Sequence, residues 1–84
     1  MKIKYLDCIE VIVEKEKYAK NGVHKGMQGV VWLEECINGE WDICFPQYGE
    51  KTDIAEISIK EEDLKLIPKI DAKVNEKIKS QFEN

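Results

Sequence analysis

Apolar and polar residues alternate in several short runs within the first 67 residues, and a period of two is typical of β-strands with one buried face. The alternating runs are short, rich in β-branched residues and separated by turn-forming residues. A long loop with an Asn21-Gly22 turn signal follows the first run. The pattern predicts five strands: Ile3 to Val13, Val30 to Glu35, Trp41 to Phe45, Ile54 to Lys60 and Leu64 to Ile67.

The second and third predicted strands form a hairpin, because the Asn38-Gly39 pair between them is the strongest short hairpin signal. Alternate residues from Trp41 to Phe45 are apolar and form the inward face, since Asp42 on the other face must be solvated or paired. The same alternation directs Trp32 outward. An exposed tryptophan calls for a reason, such as a docked helix or a binding partner.

Glu61 to Asp63 is predicted to form a single helical turn, and Pro68 ends the strand that follows it. Five short strands, one long early loop, a central hairpin and a late helical turn predict a mainly β fold. We therefore expect residues 1–68 to form a small five-stranded SH3-like β-barrel. An OB-like barrel is the alternative, although its strands are usually longer.

Residues 69–84 follow a different pattern and are predicted to form a C-terminal amphipathic α-helix, with Asp71 as its N-cap. A helix of about 12 residues is marginal in water, so it must dock on another surface. We expect it to cover Val30 and Trp32 on its own barrel. A partner-binding helix and a frayed tail are the alternatives. Its apolar stripe consists of Ile70, Val74, Ile78 and Phe82.

The charged residues make some classes of partner less favourable than others. The formal net charge is −4 and all thirteen cations are lysines, so the guanidinium fork that reads guanine and phosphate is missing. An acidic chain without arginine is a poor nucleic-acid reader and a better binder of something basic. No apolar run approaches the ~18–20 residues that cross a bilayer. Asp7 comes before any signal-peptide core, so we expect a cytoplasmic protein without a membrane partner.

The sequence contains no catalytic or metal-binding pattern. Its three cysteines include no C-x-x-C pair, and the single histidine, His24, is far from all of them in sequence. No nucleophile has a neighbouring base, and neither a phosphate loop nor a dinucleotide-binding fingerprint occurs. We therefore expect no enzymatic activity, no metal and no cofactor, and we expect reduced cysteines that pack as small apolar residues.

Several short motifs occur in order between residues 5 and 67: Leu6-Asp7, Ile9 to Val13, Gly22 to Val31, Trp41 to Phe45, Ala55 to Ile59 and Glu62 to Leu64. Together they resemble small bacterial SH3-like barrel proteins that are found beside toxin-like partners. The chain is also similar to the immunity proteins that protect bacteria from polymorphic toxins, including contact-dependent growth inhibition toxins. It departs from the pattern at Trp32, where those proteins usually carry a β-branched or small residue.

The resemblance implies an immunity protein that binds the toxic domain of a cognate bacterial toxin and blocks it sterically. Nuclease toxins carry basic substrate grooves, so an acidic inhibitor would associate quickly under electrostatic steering. Neither the identity of the toxin nor the oligomeric state is predicted. The expected partner-binding residues are Trp32, Glu34, Glu35, Glu40, Asp42, Tyr48, Glu50, Asp53 and Glu56.

Two alternatives belong to other functional classes. The chain could be an accessory subunit of a larger complex. It could also be an SH3-like module that binds the ribosome or RNA through the lysines of the long loop. Those lysines are Lys15, Lys17, Lys20 and Lys25.

Overall fold

The computed structural model of the protein describes residues 3–47, 49 and 52–83. It consists of a five-stranded antiparallel sheet, two short helical turns and a C-terminal helix. The strands are β1 (Cys8–Val11), β2 (Gln28–Val31), β3 (Glu40–Phe45), β4 (Ala55–Lys60) and β5 (Leu64–Ile67). The helical elements are α1 (Glu16–Ala19), a 3-10 turn (Glu61–Asp63) and α2 (Ala72–Phe82).

The strands lie in the order β4-β3-β2-β1-β5, so the last strand returns beside the first. All neighbouring strands are antiparallel. β4 and β5 are the two edges, and within the described residues they do not pair with each other. The predicted mainly β fold with five strands and a C-terminal helix is confirmed, whereas a closed barrel is not shown.

β1 is shorter than predicted, because a turn occupies the residues before it. Leu6 has a φ angle of 69°, a left-handed conformation that interrupts an extended chain. The Lys4 amide donates to the Asp7 carboxylate over 2.9 Å and closes the turn. The prediction that the first strand begins at Ile3 is therefore wrong, and it begins at Cys8.

The hairpin between β2 and β3 forms as predicted, although β2 is four residues long and ends before Glu35. The chain leaves the sheet after Trp32, whose amide still donates to the Asp42 carbonyl over 2.8 Å. Asn38 and Gly39 have φ angles of 53° and 76°, the two positive values that a type I′ turn requires. The local turn signal is thus confirmed, and only the strand boundary differs.

The inner face of the sheet carries the hydrophobic core. Trp41, Ile43 and Phe45 are buried there, as the alternation predicted. Gly29 in β2 lies against them, and a Cβ at this position would be 2.6 Å from the Cys44 carbonyl oxygen. Only glycine permits this close approach of two strands. The other buried hydrophobic residues are Ile3, Ile9, Val11, Tyr18, Val23, Met27, Val31, Ile59 and Leu64.

A buried carboxylate ties the long loop after β1 to the end of the sheet. Asp63 Oδ2 accepts from Lys15 Nζ and from the Tyr18 hydroxyl, each over 2.7 Å. The Tyr18 hydroxyl in turn accepts from the Lys60 amide over 3.2 Å. Burial by itself raises the pKa of Asp63, but the hydrogen bonds from Lys15 and Tyr18 outweigh it, so this pKa lies below its usual range. Burial and the bond to Asp63 raise the pKa of Tyr18 to about 12, so its hydroxyl stays protonated.

Helix α2 docks on the sheet through Asn75, which is fully buried. Asn75 Oδ1 accepts from the Gln28 amide over 2.6 Å. Its Nδ2 donates to the carbonyls of Gln28 and Pro46 over 2.7 and 2.9 Å. Asp71 caps the helix, as predicted, by accepting from the Lys73 amide over 2.9 Å. The helix therefore rests on its own sheet, at the start of β2.

The other end of α2 is held by an aromatic contact. The Phe82 ring stacks on the buried His24 ring with centroids 3.6 Å apart. His24 Nδ1 lies 2.7 Å from Glu14 Oε2, which fixes the ring in place. The predicted position over Val30 and Trp32 is wrong, because the polar anchor of the helix finds its backbone partners at the start of β2. The Trp32 side chain remains half exposed.

Asp63→Asn is expected to lower the free energy of unfolding at pH 7 by about 1–3 kcal/mol, since a buried network loses its charge and one acceptor. The folded pKa of Asp63 lies below the unfolded value. The ionised Asp63 carboxylate therefore stabilises the fold at pH values above the unfolded pKa, and this stabilisation is lost as the pH falls through the folded pKa. Urea unfolding at pH 7 and pH 3 measures both effects. Glu62→Gln, in the same helical turn but exposed, is the control; equal acid sensitivity of wild type and Asp63→Asn would contradict the prediction.

Asn75→Ala removes three hydrogen bonds and leaves three backbone groups of β2 and the loop after β3 without their partner. We expect a loss of about 2–4 kcal/mol of stability and fraying of α2, because unpaired buried polar groups are costly. Thermal unfolding and the helical circular dichroism signal measure these changes. Lys77→Ala, at an exposed position of the same helix, should be nearly neutral. Equal melting temperatures for the two variants would show that Asn75 does not anchor the helix.

Candidate functional site

The face of the sheet opposite the core, here called the outer face, carries alternate residues of β3 and β4. The register places Asp42 opposite Ser58 and Cys44 opposite Glu56. Asp53, in the loop before β4, joins them because Cys44 Sγ donates to Asp53 Oδ2 over 2.9 Å. Opposed side chains in a sheet lie about 5 Å apart at Cβ, within reach of one another. The fold thus brings together three predicted site residues, Asp42, Asp53 and Glu56, which we call the acidic patch.

The acidic patch is a concentration of negative charge on the outer face. None of its carboxylates forms an ion pair with a lysine of the described residues. A hydrogen bond with Asp42 raises the pKa of Glu56 above its usual range, and burial and the charges of Asp42 and Asp53 raise it further. The patch is therefore suited to a positively charged partner.

Cys44 lies in the middle of the acidic patch, but its thiol is a poor nucleophile. Burial, followed by the hydrogen bond to Asp53, raises the pKa of Cys44 to about 12. Only the thiolate attacks electrophiles, and this thiol remains protonated at neutral pH. Cys8 lies in the same row of the outer face, with Val30 between the two cysteines. Two strand spacings, about 10 Å, separate them, so they form no disulfide.

Glu34 and Glu35 are exposed on the loop after β2 and do not join the acidic patch. Together with Leu33 and Ile37 they line an open depression of about 550 Å³. The same two apolar side chains also line a second depression, of about 310 Å³, which includes Asp42. Leu33 and Ile37 therefore line both depressions, one with the two glutamates and the other with Asp42.

Three other predicted site residues are not part of the acidic patch. Glu40 lies on the outer face directly opposite Lys60, so a cation is available to it. Tyr48 and Glu50 lie outside the described residues. Their assignment to the site stays a prediction.

Trp32 points outward, as predicted, and has a neighbour that the sequence did not indicate. The Tyr5 ring lies 6.2 Å from the Trp32 ring between centroids, with the planes tilted by 52°. Leu6 lies beside them, because its amide donates to the Val31 carbonyl over 2.8 Å. The exposed fractions of Tyr5, Leu6 and Trp32 are 40%, 53% and 49%. We call these three residues the aromatic shelf.

Lysines are distributed unevenly along the chain. Residues 26–50 contain five acids and no lysine, although the whole chain has thirteen lysines. This stretch includes β2, the hairpin loop and β3, so Trp32 and Asp42 both lie in a segment without lysine. A basic partner that contacts this segment would meet no lysine of the segment itself.

The lysines of the long loop are partly engaged within the protein. Lys15 forms the ion pair with Asp63. Lys17 Nζ lies 5.2 Å from the centroid of the Tyr18 ring, within cation–π distance. Two of the four lysines expected to contact RNA therefore have internal partners, which makes the loop a weaker cationic surface than its sequence suggests.

Within residues 3–47, 49 and 52–83, no three His, Cys, Asp or Glu side chains are grouped so that they could hold a metal ion. In the same residues, no helix has the length and apolar character needed to cross a bilayer. Comparisons of the chain with protein-family models, curated proteins and solved structures find no match. The function is therefore inferred from the acidic patch and the aromatic shelf.

Proposed function

We propose that the protein is a non-catalytic binding protein that recognises a basic protein through the outer face of its sheet. The observation that carries this proposal is the convergence of Asp42, Asp53 and Glu56 without a lysine partner among the described residues. A lysine or arginine of the partner would supply the missing charge.

Within this class, the partner that fits best is the toxic domain of a bacterial toxin, with the protein acting as its immunity protein. A nuclease toxin has a basic substrate groove, and an acidic surface that enters the groove excludes the substrate. Opposite charges also accelerate association, which matters for an inhibitor that must act before the toxin does. Inhibition of this kind needs no nucleophile, and the protonated thiol of Cys44 is consistent with that.

The arrangement of the strands supports an SH3-like fold as part of the same proposal. β1 to β4 follow one another across the sheet, and β5 returns to pair with β1. The 3-10 turn (Glu61–Asp63) lies directly before β5, where an SH3-like domain has its late helical turn. In this fold the loops and the outer sheet face are available for contacts with a partner.

Binding to the ribosome or RNA is supported less well. Phosphates would have to approach the loop lysines, and Lys15 and Lys17 already have partners within the protein. Retention of RNA by the purified protein in low salt would favour this alternative, because phosphate contacts are strongest there.

Neutralising the acidic patch with Asp42→Asn, Asp53→Asn and Glu56→Gln is expected to slow association with the cognate toxin domain about tenfold or more at low salt. The expected partner is the C-terminal domain of a secreted toxin encoded directly upstream. Stopped-flow or surface-based kinetics across salt concentrations measures the rate. Co-expression with the toxin domain measures protection of the cells.

The matched control has the same change in net charge elsewhere. Glu16→Gln, Glu62→Gln and Glu76→Gln replace exposed acids away from the acidic patch. If this control slows association as much as the patch variant, net charge and not the patch is responsible. If the wild-type protein gives cells no protection from the toxin domain, the immunity function is excluded.

Glu56→Gln is expected to stabilise the fold at pH 7, because it removes repulsion from Asp42 and Asp53. The folded pKa of Glu56 is raised, so its favourable contribution is present below the unfolded pKa and is lost as pH rises through the folded pKa. The gain should therefore disappear at pH 3, as urea unfolding at the two pH values would show. Glu62→Gln, an exposed acid outside the patch, should have no such pH-dependent effect. Equal stability of Glu56→Gln and wild type at pH 7 would contradict the prediction.

A further inference from the structure

The aromatic shelf lies at the end of the sheet that α2 leaves uncovered. The helix is anchored to Gln28 and Pro46, at the start of β2 and just after β3. Trp32 follows the opposite end of β2, and its ring contact is with Tyr5 and not with the helix. Two neighbouring aromatic side chains that stay 40% and 49% exposed beside an exposed leucine form an apolar patch, and such patches mark contact surfaces.

The aromatic shelf adjoins the acidic patch directly. Val31 pairs with Ile43, and the Trp32 amide donates to the Asp42 carbonyl, so the Trp32 and Asp42 side chains are cross-strand neighbours on the outer face. Glu56 lies diagonally across from Asp42 on the same face, because Asp42 pairs with Ser58 and Cys44 pairs with Glu56. An aromatic plane and two carboxylates therefore lie side by side on one surface.

We propose that the aromatic shelf and Asp42 together bind one arginine side chain of the partner protein. The guanidinium stacks on the Trp32 ring and donates to the Asp42 carboxylate, while the aliphatic part of the arginine contacts Tyr5 and Leu6. This inference rests on the proposed function, since it names the side chain through which a basic partner is recognised.

Arginine fits this surface better than lysine does. A guanidinium is planar, stacks on an aromatic ring and still directs N–H groups at a carboxylate in its own plane. An ammonium is a compact, strongly hydrated charge that cannot satisfy both neighbours in the same way. Tryptophan is also the most favourable aromatic residue for such a cation.

Charge excludes the other occupants of the aromatic shelf. A second copy of this chain would bring two acidic patches together, because Asp42 lies beside Trp32 on each copy. The phosphates of RNA would meet the same carboxylates. Residues 26–50 contain no lysine, so the hairpin supplies no cation that could occupy the aromatic shelf in place of a partner's arginine.

The test uses the full chain labelled with 15N and three peptides that differ at one position. The peptides are acetyl-Ala-Gly-X-Gly-Ala-amide, with arginine, lysine or citrulline at X; citrulline has the shape of arginine without its charge. Titrations to 20 mM follow the two tryptophan indole signals, which Trp32→Phe assigns. We expect the arginine peptide to shift the Trp32 signal and leave that of the buried Trp41 unchanged.

The affinity for the arginine peptide should exceed that for the lysine peptide about threefold to tenfold, and the citrulline peptide should not bind measurably. Trp32→Leu should abolish the preference for arginine. Leu66→Ala, which removes another exposed apolar side chain on β5, should preserve it. Equal affinities for arginine and citrulline, or an unchanged preference in Trp32→Leu, would overturn the inference.

Two further outcomes separate this inference from the proposed function. If the arginine peptide shifts the amide signals of Asp42 and Glu56 equally in wild type and Trp32→Leu, the acidic patch binds cations without the aromatic shelf. The proposed function then stands and the arginine site falls. If the Trp32 signal shifts with protein concentration alone, a second copy occupies the shelf and the inference is wrong. If no peptide shifts any signal of the outer face, the arginine site is excluded, and the kinetics of the patch variants decide the proposed function separately.

Discussion

The Asp63 carboxylate holds together parts of the chain that the sheet alone does not connect. It accepts from Tyr18 and Lys15 in the long loop, and its own backbone carbonyl accepts from Ile12, just after β1. Through the Tyr18 hydroxyl the same network reaches Lys60 at the end of β4. Asp63 itself leads directly into β5, so the two edge strands and the loop meet at one buried group. A chain of 84 residues has a small core. A buried hydrogen-bond network fixes the relative positions of its segments more specifically than apolar contacts do.

The inner face of the sheet carries the core, and the proposed binding surface lies on the outer face. The inner face holds Trp41, Ile43 and Phe45, and their burial leaves the outer face free of packing constraints. Repulsion between Asp42 and Glu56 can persist there because the core and the Asp63 network offset it. The sequence predicted that these acids belong to the site, since strand alternation alone directs them outward. Local sequence patterns could not predict two contacts, that of Cys44 with Asp53 and that of Tyr5 with Trp32. Each contact depends on the path of a loop that brings separate segments together.

Predictions of the fold likewise succeeded for local features and failed where distant residues determine the structure. The hairpin turn at Asn38 and the N-cap at Asp71 are local devices, and both were predicted correctly. The turn at Leu6 carries no comparable signal, because leucine rarely adopts a positive φ angle. The place where α2 docks was missed for a related reason. The anchor of the helix, Asn75, is a polar residue next to Val74 and not a member of the apolar stripe. Its partners are backbone groups 29 and 47 residues earlier in the chain, which no local pattern indicates.

The hydrogen bond between Tyr18 and the Lys60 amide has a consequence for the exposed edge of the sheet. β4 is an edge strand, so every second backbone amide along it has no partner strand to bond to. The Glu61 amide donates to the Gly39 carbonyl, which shows that the odd-numbered residues of β4 direct their amides towards β3. By that alternation, the amides of Glu56, Ser58 and Lys60 face away from β3, and Tyr18 occupies the last of them. A strand from another molecule would find only a short unpaired segment there, flanked by a charged side chain. The edge of β4 is thus a poor template for the addition of a strand from another molecule.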